Sequence, residues 1–390
     1  MTGTAATRVL VIGGGIAGSA AALGLRRAGF DVRVYEAHSG ADQDVGAFLT
    51  LASTGMRALA QLDATRAVTA IGFPLTSLRL LDAEGTELAH VPLGEVAEPD
   101  LRYRCLRRGE LNSALQREVS GRGVRLVHGA RLTSVTDGPY GVTARFGDGT
   151  TATGDLLIGA DGLNSAVRRA LTPGIRPVHA GQRVFYGRTP GAPGAVGDGV
   201  ITMVRGSESA FGYATAPTGE AYWFARVGGD PLPERGPGAR NAVPRAELLP
   251  LLRKDATPAA ALVAACPDPV MATNATEMPL GARWHTGRVL LIGDAAHAAS
   301  PATGRGASTA LEDAVVLAKA LRDLPDAAKA FEAYERHRRP RAEHNIIVSG
   351  GISRGTREPA RPAGPDHRPD HLDEELIRQL DWHTALSERA

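Results

Sequence analysis

"RVLVIGGGIAGSAAALGLRRAGFDVRVYE", residues 8–36, decides the fold. Its first five residues, Arg8 to Ile12, form an apolar run rich in β-branched side chains, the pattern of a parallel strand buried on both faces. Gly13, Gly15 and Gly18 follow in G-x-G-x-x-G spacing, and an Ala/Leu-rich run then predicts a helix that Gly29 ends. Val32 and Val34 begin a second strand, and Glu36 stands at its end. Each glycine has a mechanical reason: a tight turn at Gly13, close backbone approach to a pyrophosphate at Gly15, and tight helix–strand packing at Gly18. The helix N-terminus that follows presents unpaired N–H groups and positive dipole character to phosphates. Glu36, 18 residues beyond Gly18, is placed to accept hydrogen bonds from an adenosine ribose and to repel a 2′-phosphate. The stretch therefore predicts FAD or NAD rather than NADP, and by itself does not choose between the first two.

A chain of 390 residues suggests two or three domains with ample core. Its 44 basic and 42 acidic residues leave a formal charge of +2, which carries no signature of nucleic-acid binding. The opening "MTGTAATR" lacks a signal-peptide pattern, and no apolar run approaches the roughly 20 residues of a membrane span. Cys105 and Cys266 are the only cysteines, read as small buried apolar residues in a reducing cytoplasm. A metal site is not expected: His367 and His371, four apart, fall in the Pro-rich stretch 354–371.

The organisation reads as one domain interrupted by another. Short strand-like runs occupy residues 76–93, and "FGDGT" is a turn between the strands "GVTARF" and "TTATG". Residues 183–227 carry several short strands and seven of the eighteen aromatic residues, a concentration that favours a sheet covering an organic ligand. Phe185, Tyr186, Phe211, Tyr213 and Trp223 are the candidate pocket residues. After residue 284 the parallel-strand and helix pattern returns, and 305–323 is a long helix with apolar positions 311, 314, 315, 318 and 321 on one face.

Two further strand ends carry acidic turns, Gly159-Ala160-Asp161-Gly162 and Gly293-Asp294-Ala295-Ala296-His297. Ligands of parallel α/β sheets lie beyond the carboxyl ends of strands, so three such ends at one crevice imply a long ligand held at several points. A carboxylate at the third end suits the hydroxyls of a ribityl chain, which FAD has and NAD lacks. Pro301, Gly304 and Gly306 then break the chain just before the long helix, leaving the N–H groups of Arg305 to Ser308 as an anion site for a reduced flavin.

The three motifs together resemble the flavin-dependent single-component aromatic hydroxylases, the class typified by p-hydroxybenzoate hydroxylase, over residues 8 to about 345. The resemblance implies an α/β fold in which a Rossmann-like FAD domain of the glutathione-reductase type is interrupted by a mixed β-sheet substrate domain and followed by a C-terminal helical segment. The expected division is 1–75, 100–172 and 274–345 for FAD, 76–99 and 173–273 for substrate, and 346–390 as a C-terminal extension. It also implies that Gly13, Gly15, Ile16, Ala17, Gly18, Glu36 and Ala37 hold the ADP half of a tightly but non-covalently bound FAD. Gly46 and Ala47 would run along the ring, Arg108 in "RRGEL" would stand beside FAD, and Asp161, Gly162 and Arg168 match a motif linked to FAD and NAD(P)H. Gly293 and Asp294 would meet the ribityl chain, and Pro301, Gly304, Arg305, Gly306 and Ala307 the flavin ring, with Arg305 and Gly306 forming the catalytic ring environment.

The implied activity uses NAD(P)H as a transient co-substrate and O2 to form a C4a-hydroperoxyflavin that hydroxylates, or epoxidises, an electron-rich aromatic or polycyclic molecule, in a monomer or homodimer. Such a reaction suits secondary metabolism or aromatic catabolism. Arg305 stands where many relatives have Gln, and "FYGR" stands where many have W-R-G. His297 is expected to be structural. A halogenase would carry W-x-W-x-I-P, which none of Trp223, Trp284 and Trp382 begins. A reductase that inserts no oxygen is the remaining alternative.

Overall fold

The computed structural model describes residues 6–40, 47–95, 97–191, 197–233, 241–356 and 374–387. Its organising element is a five-stranded parallel sheet in the order Val289–Leu291, Leu156–Gly159, Arg8–Ile12, Asp31–Tyr35, Arg125–Val127. Val9, Leu10 and Val11 have no exposed surface, as the continuous apolar run requires of a strand covered on both sides. The register matters more than the order. Ile12 pairs with Gly159, and Gly159 with Leu291, so three strands end level with one another. Backbone bonds continue the alignment past the strand ends: Ala160 N–H donates to Ile12 O at 2.8 Å, and Ile292 N–H to Gly159 O at 3.0 Å.

The Ile16–Arg27 helix lies against the long helix Gly306–Asp323, and Gly24 allows the contact, since a Cβ there would sit 2.9 Å from the Ala318 methyl. The long helix departs from the one-sided stripe its sequence predicts. Every residue from Ser308 to Ala320 is buried, including Glu312, Asp313 and Lys319, because other helices pack on its remaining faces.

An eight-stranded mixed sheet forms the other large layer. It joins Ser77–Leu81 and Glu87–Pro92 to the strands Val178–Thr189, Val200–Arg205, Ser209–Thr215, Ala221–Gly228, Asn241–Val243 and Val270–Glu277. Chain from either side of the first parallel-sheet crossover thus enters a single sheet. The Ala327–Ser353 helix runs unbroken through position 345, and a short helix, Glu374–Leu380, returns near the C-terminus. His367 and His371 lie outside the described residues. No described helix is long and apolar enough to cross a membrane.

A fully buried ionic chain ties the third strand end to the helices behind it. His297 Nε2 meets Asp313 Oδ2 at 2.6 Å, Arg338 Nε donates to Asp313 Oδ1 at 2.8 Å, and Arg338 Nη2 to Glu312 Oε2 at 2.8 Å. Arg341 Nε closes the series on Glu312 at 3.0 Å. Removing one partner of such a set strands a buried charge, at about 3–5 kcal/mol.

The C-terminal residues are latched to the far end of the long helix. Lys319 Nζ, without exposed surface, donates to the carbonyls of Arg378, Gln379 and Asp381 at 3.2, 2.7 and 2.6 Å. Trp382 lies between two guanidinium groups, Arg27 and Arg322, at 4.5 and 4.7 Å from its ring centroid.

Two outcomes follow from these contacts. Lys319→Met leaves the three carbonyls without their donor, each worth about 1–3 kcal/mol if left unpaired. Limited proteolysis should then release the 374–387 segment faster, with a lower melting temperature. For His297, burial opposes the cation, but Asp313 outweighs burial and raises the pKa above the ordinary histidine value. A raised folded pKa gives stability that is complete below the ordinary histidine range and is lost as pH rises through the folded value. Melting temperature followed from mildly acidic to alkaline pH should fall in the wild type by more than in His297→Gln.

Candidate functional site

The glycine loop is shaped by what each position excludes. Gly13 has φ +101°, and a Cβ there would lie 2.4 Å from Ala160 O; at Gly18 it would lie 1.9 Å from Gly13 O. These two close the loop against the neighbouring strand end. Gly15, the N-cap of the Ile16–Arg27 helix, differs: its Cβ position has nothing within 4 Å, so the loop opens there toward free space. Ala17 packs under the third strand end, its methyl 2.9 Å from the Cβ position of Gly293.

Glu36 reaches back to this loop, accepting from Gly14 N–H at 2.6 Å and from His38 N–H at 2.8 Å. Both oxygens retain lone pairs for further donors. Gln116 holds the opposite side, with Nε2 donating to Gly14 O at 2.7 Å, while its Oε1 is buried without a partner among the described residues. Sequence reasoning missed Gln116, because its partner is a carbonyl 102 residues away and no motif marks it.

At the second strand end, Asp161 is occupied in building the turn. It accepts from Ser165 Oγ, from Ala166 N–H at 2.6 Å and from Val167 N–H at 3.1 Å, capping the Ala166–Leu171 helix. Burial raises its pKa against the pull of these bonds. Gly162 takes a positive φ of +73° in this turn. Arg168 is buried and donates to Leu163 O and to Ala295 O, the latter at 2.9 Å. The pair expected from sequence beside the cofactor is thus a brace between the second and third turns.

The third turn carries the free carboxylate. Gly293 donates its N–H to Asp313 at 3.0 Å, which couples the turn to the buried ionic chain. Asp294, half-buried, accepts no hydrogen bond from any described residue. The nearest atom to the Cβ position of Gly306 is Asp294 Oδ1 at 3.9 Å, so open space runs from the carboxylate to the long helix. That helix starts at Gly306 with Arg305 as N-cap, and the N–H groups of Gly306, Ala307 and Ser308 have no carbonyl within the helix.

Opposite lies the strand Phe48–Leu51, next to Ala47. Ala52 N–H donates to Ser308 Oγ at 3.0 Å, and the Cβ position of Gly304 is 3.3 Å from Thr50 Oγ1. Residues 47–52 and the turn from Pro301 to Ser308 are therefore the two walls of one slot. Arg108 begins its helix beside them, its N–H on Ala47 O at 3.1 Å, with an exposed side chain. Gly46 lies outside the described residues, Ile16 is buried at the helix start, and Ala37 is half-buried after Glu36.

The aromatic candidates separate by face. Phe185, Phe211 and Trp223 are buried in a core with Leu252, Leu262 and Cys266, Trp223 stacks on Phe211 at 5.7 Å, and Tyr213 packs against the same cluster. This outer face is not brought to the slot. Tyr186, one residue on from Phe185, points to the inner face, as do Tyr222 and Phe224 on either side of Trp223. Phe48 lies 5.9 Å from the Tyr222 ring and 6.1 Å from Phe224, which joins the inner face to the slot. Tyr222 and Phe224 were missed because aromatic density in the sequence does not say which member of an adjacent pair faces which way.

An elongated dinucleotide with a polyol midsection fits this arrangement: open backbone at Gly15, an unengaged carboxylate at Asp294, and open space again at Gly306. The FAD-binding domain family matches residues 6–348. The chain is 34% identical over 349 residues to the aurachin C monooxygenase/isomerase of Stigmatella aurantiaca, covering 89% of this chain and 88% of that protein. It is 31% identical over 341 residues to the 3-amino-4-hydroxybenzoate 2-monooxygenase of Streptomyces cremeus, covering 86% and 84%. The crystal structure of Klebsiella pneumoniae HpxO with FAD and uric acid superposes with a TM-score of 0.77 at 29% identity, covering 90% of this chain and 89% of that one. The level strand ends, the open glycine loop and these likenesses have one reading: the chain belongs to the FAD-binding domain family of flavin-dependent monooxygenases.

Proposed function

We propose that this chain uses NAD(P)H and O2 to hydroxylate, or epoxidise, an electron-rich aromatic or polycyclic molecule held between the slot and the inner face of the large sheet. The observation that carries this reading is the continuity of Phe48, Tyr222 and Phe224 with the slot wall. Related enzymes act, by their names, on urate, an aminohydroxybenzoate and aurachin C, all flat and electron-rich molecules. The chemistry that FAD supplies when bound is hydride acceptance from NAD(P)H and activation of O2.

The remaining work is positioning and electrostatics. The loop at Gly13, Gly15 and Gly18, with Ile16 and Ala17 starting its helix and Glu36 and Ala37 ending the second strand, holds the ADP half. Asp294 accepts from ribityl hydroxyls, beside Gly293. Pro301, Gly304, Arg305, Gly306 and Ala307 line one side of the ring, with Ala47 and Arg108 on the other. N–H groups at the start of the long helix favour negative charge there at no reorganisation cost. Asp161, Gly162 and Arg168 keep the second and third turns in register. The apolar ring of Phe48, Phe73 and Tyr222 excludes water from the reacting edge. The enzyme acts in the cytoplasm as a monomer or homodimer, in keeping with two buried free thiols.

The test follows NAD(P)H oxidation and product 18O content with the yellow purified protein across phenols, indoles and polyketides. Stimulated NAD(P)H consumption with label in the product supports the reading, whereas stimulation that yields no labelled product leaves a reductase. Asp294→Ala should weaken FAD binding by about 10- to 100-fold, the worth of a charge-assisted bond, as read by flavin absorbance after gel filtration. A mutant that stays fully yellow counts against the assignment. Glu36→Ala should weaken FAD without altering the choice between NADH and NADPH.

A further inference from the structure

One charge on the inner face has no partner within the fold. Arg226 is 4% exposed, in the strand Ala221–Gly228, with Val184 and Ala210 as its neighbours across the sheet. Its guanidinium carbon lies 5.8 Å from the Phe224 ring, and Nε and Nη1 are sealed from solvent without a hydrogen-bond partner. Among the described residues it makes no ion pair. Burial pushes its pKa down to about 10, and Tyr186 is the only group that offsets burial. Tyr186, itself buried, feels Arg226 on one side and Arg108 on the other, which places Arg226 along the line that leads to the slot.

A guanidinium does not escape burial by losing its proton near neutral pH. Left unpaired it costs several kcal/mol, and the ring of Phe224 returns only about 1–2 of these. The other buried arginines differ in kind. Arg338 has two carboxylates, and Arg168 and Arg104 have backbone carbonyls. A planar fork of donors in an aromatic-lined recess matches an anionic oxygen group on a flat ligand.

We propose that Arg226 is a specificity-determining residue that pairs with an anionic oxygen group on the aromatic substrate, either a ring carboxylate or an ionised ring hydroxyl. The inference rests on the oxygenase reading above and names the substrate class of the same site. Lining residues around it follow the same chemistry: Tyr186 offers a hydroxyl beside the anion, and Phe224 covers the ring that carries it.

The test uses the FAD-loaded protein and two matched pairs of probes, 3-amino-4-hydroxybenzoate against its amide, and 4-nitrophenol against nitrobenzene. Affinity is read from the flavin difference spectrum in the wild type, R226K, R226Q and R226M. The wild type should favour the anionic member of one pair by roughly 10- to 100-fold, R226Q should erase that preference, and R226K should keep part of it. The pair that loses its preference identifies carboxylate or ionised hydroxyl. R226M without ligand should melt at or above the wild type, because a partnerless charge has been removed. Equal affinity for both members of each pair in the wild type overturns the proposal. So does a preference that survives R226Q, or a large fall in the melting temperature of ligand-free R226M. If the preference vanishes in R226Q but no probe gives labelled product, the anion site stands and the oxygenase reading fails. Labelled product made equally well from the acid and the amide gives the reverse.

Discussion

The level register of three parallel strands, Ile12 beside Gly159 beside Leu291, is the constraint on which the rest of the site depends. Strands that end level release their turns into one crevice, and a slip of one residue would send a turn to the other face of the sheet. Gly13 and Gly18 protect the register by letting the first turn close against the second without a Cβ between them. Arg168 protects it again by bonding carbonyls of the second and third turns at once.

Behind the third turn the same problem is solved with charge. Asp313 receives Gly293 N–H, His297 and Arg338, so one buried carboxylate fixes a strand end, a one-turn helix and the long C-terminal helix together. Its pKa is held below the ordinary aspartate value by those partners in spite of burial. Such a set adds little net stability compared with apolar packing, yet it penalises any displacement steeply. Positional stiffness is what a slot with a free carboxylate at its edge requires.

Much of this was legible in the sequence, for physical reasons. The strand, glycine loop, helix and Glu36 of residues 8–36 are local in sequence, and so are the turns at 159–162 and 293–297; each carries its meaning in spacing alone. What escaped was everything decided by long-range pairing. Gln116 meets Gly14, Ser308 meets Ala52, and Asp161 and Arg168 turn inward as braces, none of which local spacing encodes. The long helix showed an apolar stripe at 311, 314, 315, 318 and 321, but its polar residues are buried too, and only their ionic partners reveal why. The aromatic run failed for a different reason: strand alternation is visible in sequence, whereas the choice of which face meets the slot needs the sheet assembled.

That alternation also separates the large sheet into two populations under different evolutionary pressure. Trp223 and Phe211 on the outer face are wedged among helical side chains, where a change of volume disturbs close packing on all sides. Residues one step along each strand look into the recess and answer mainly to whatever molecule arrives there. A lineage can therefore acquire a new diet by exchanging every second residue of three strands, while the scaffold that carries them drifts hardly at all.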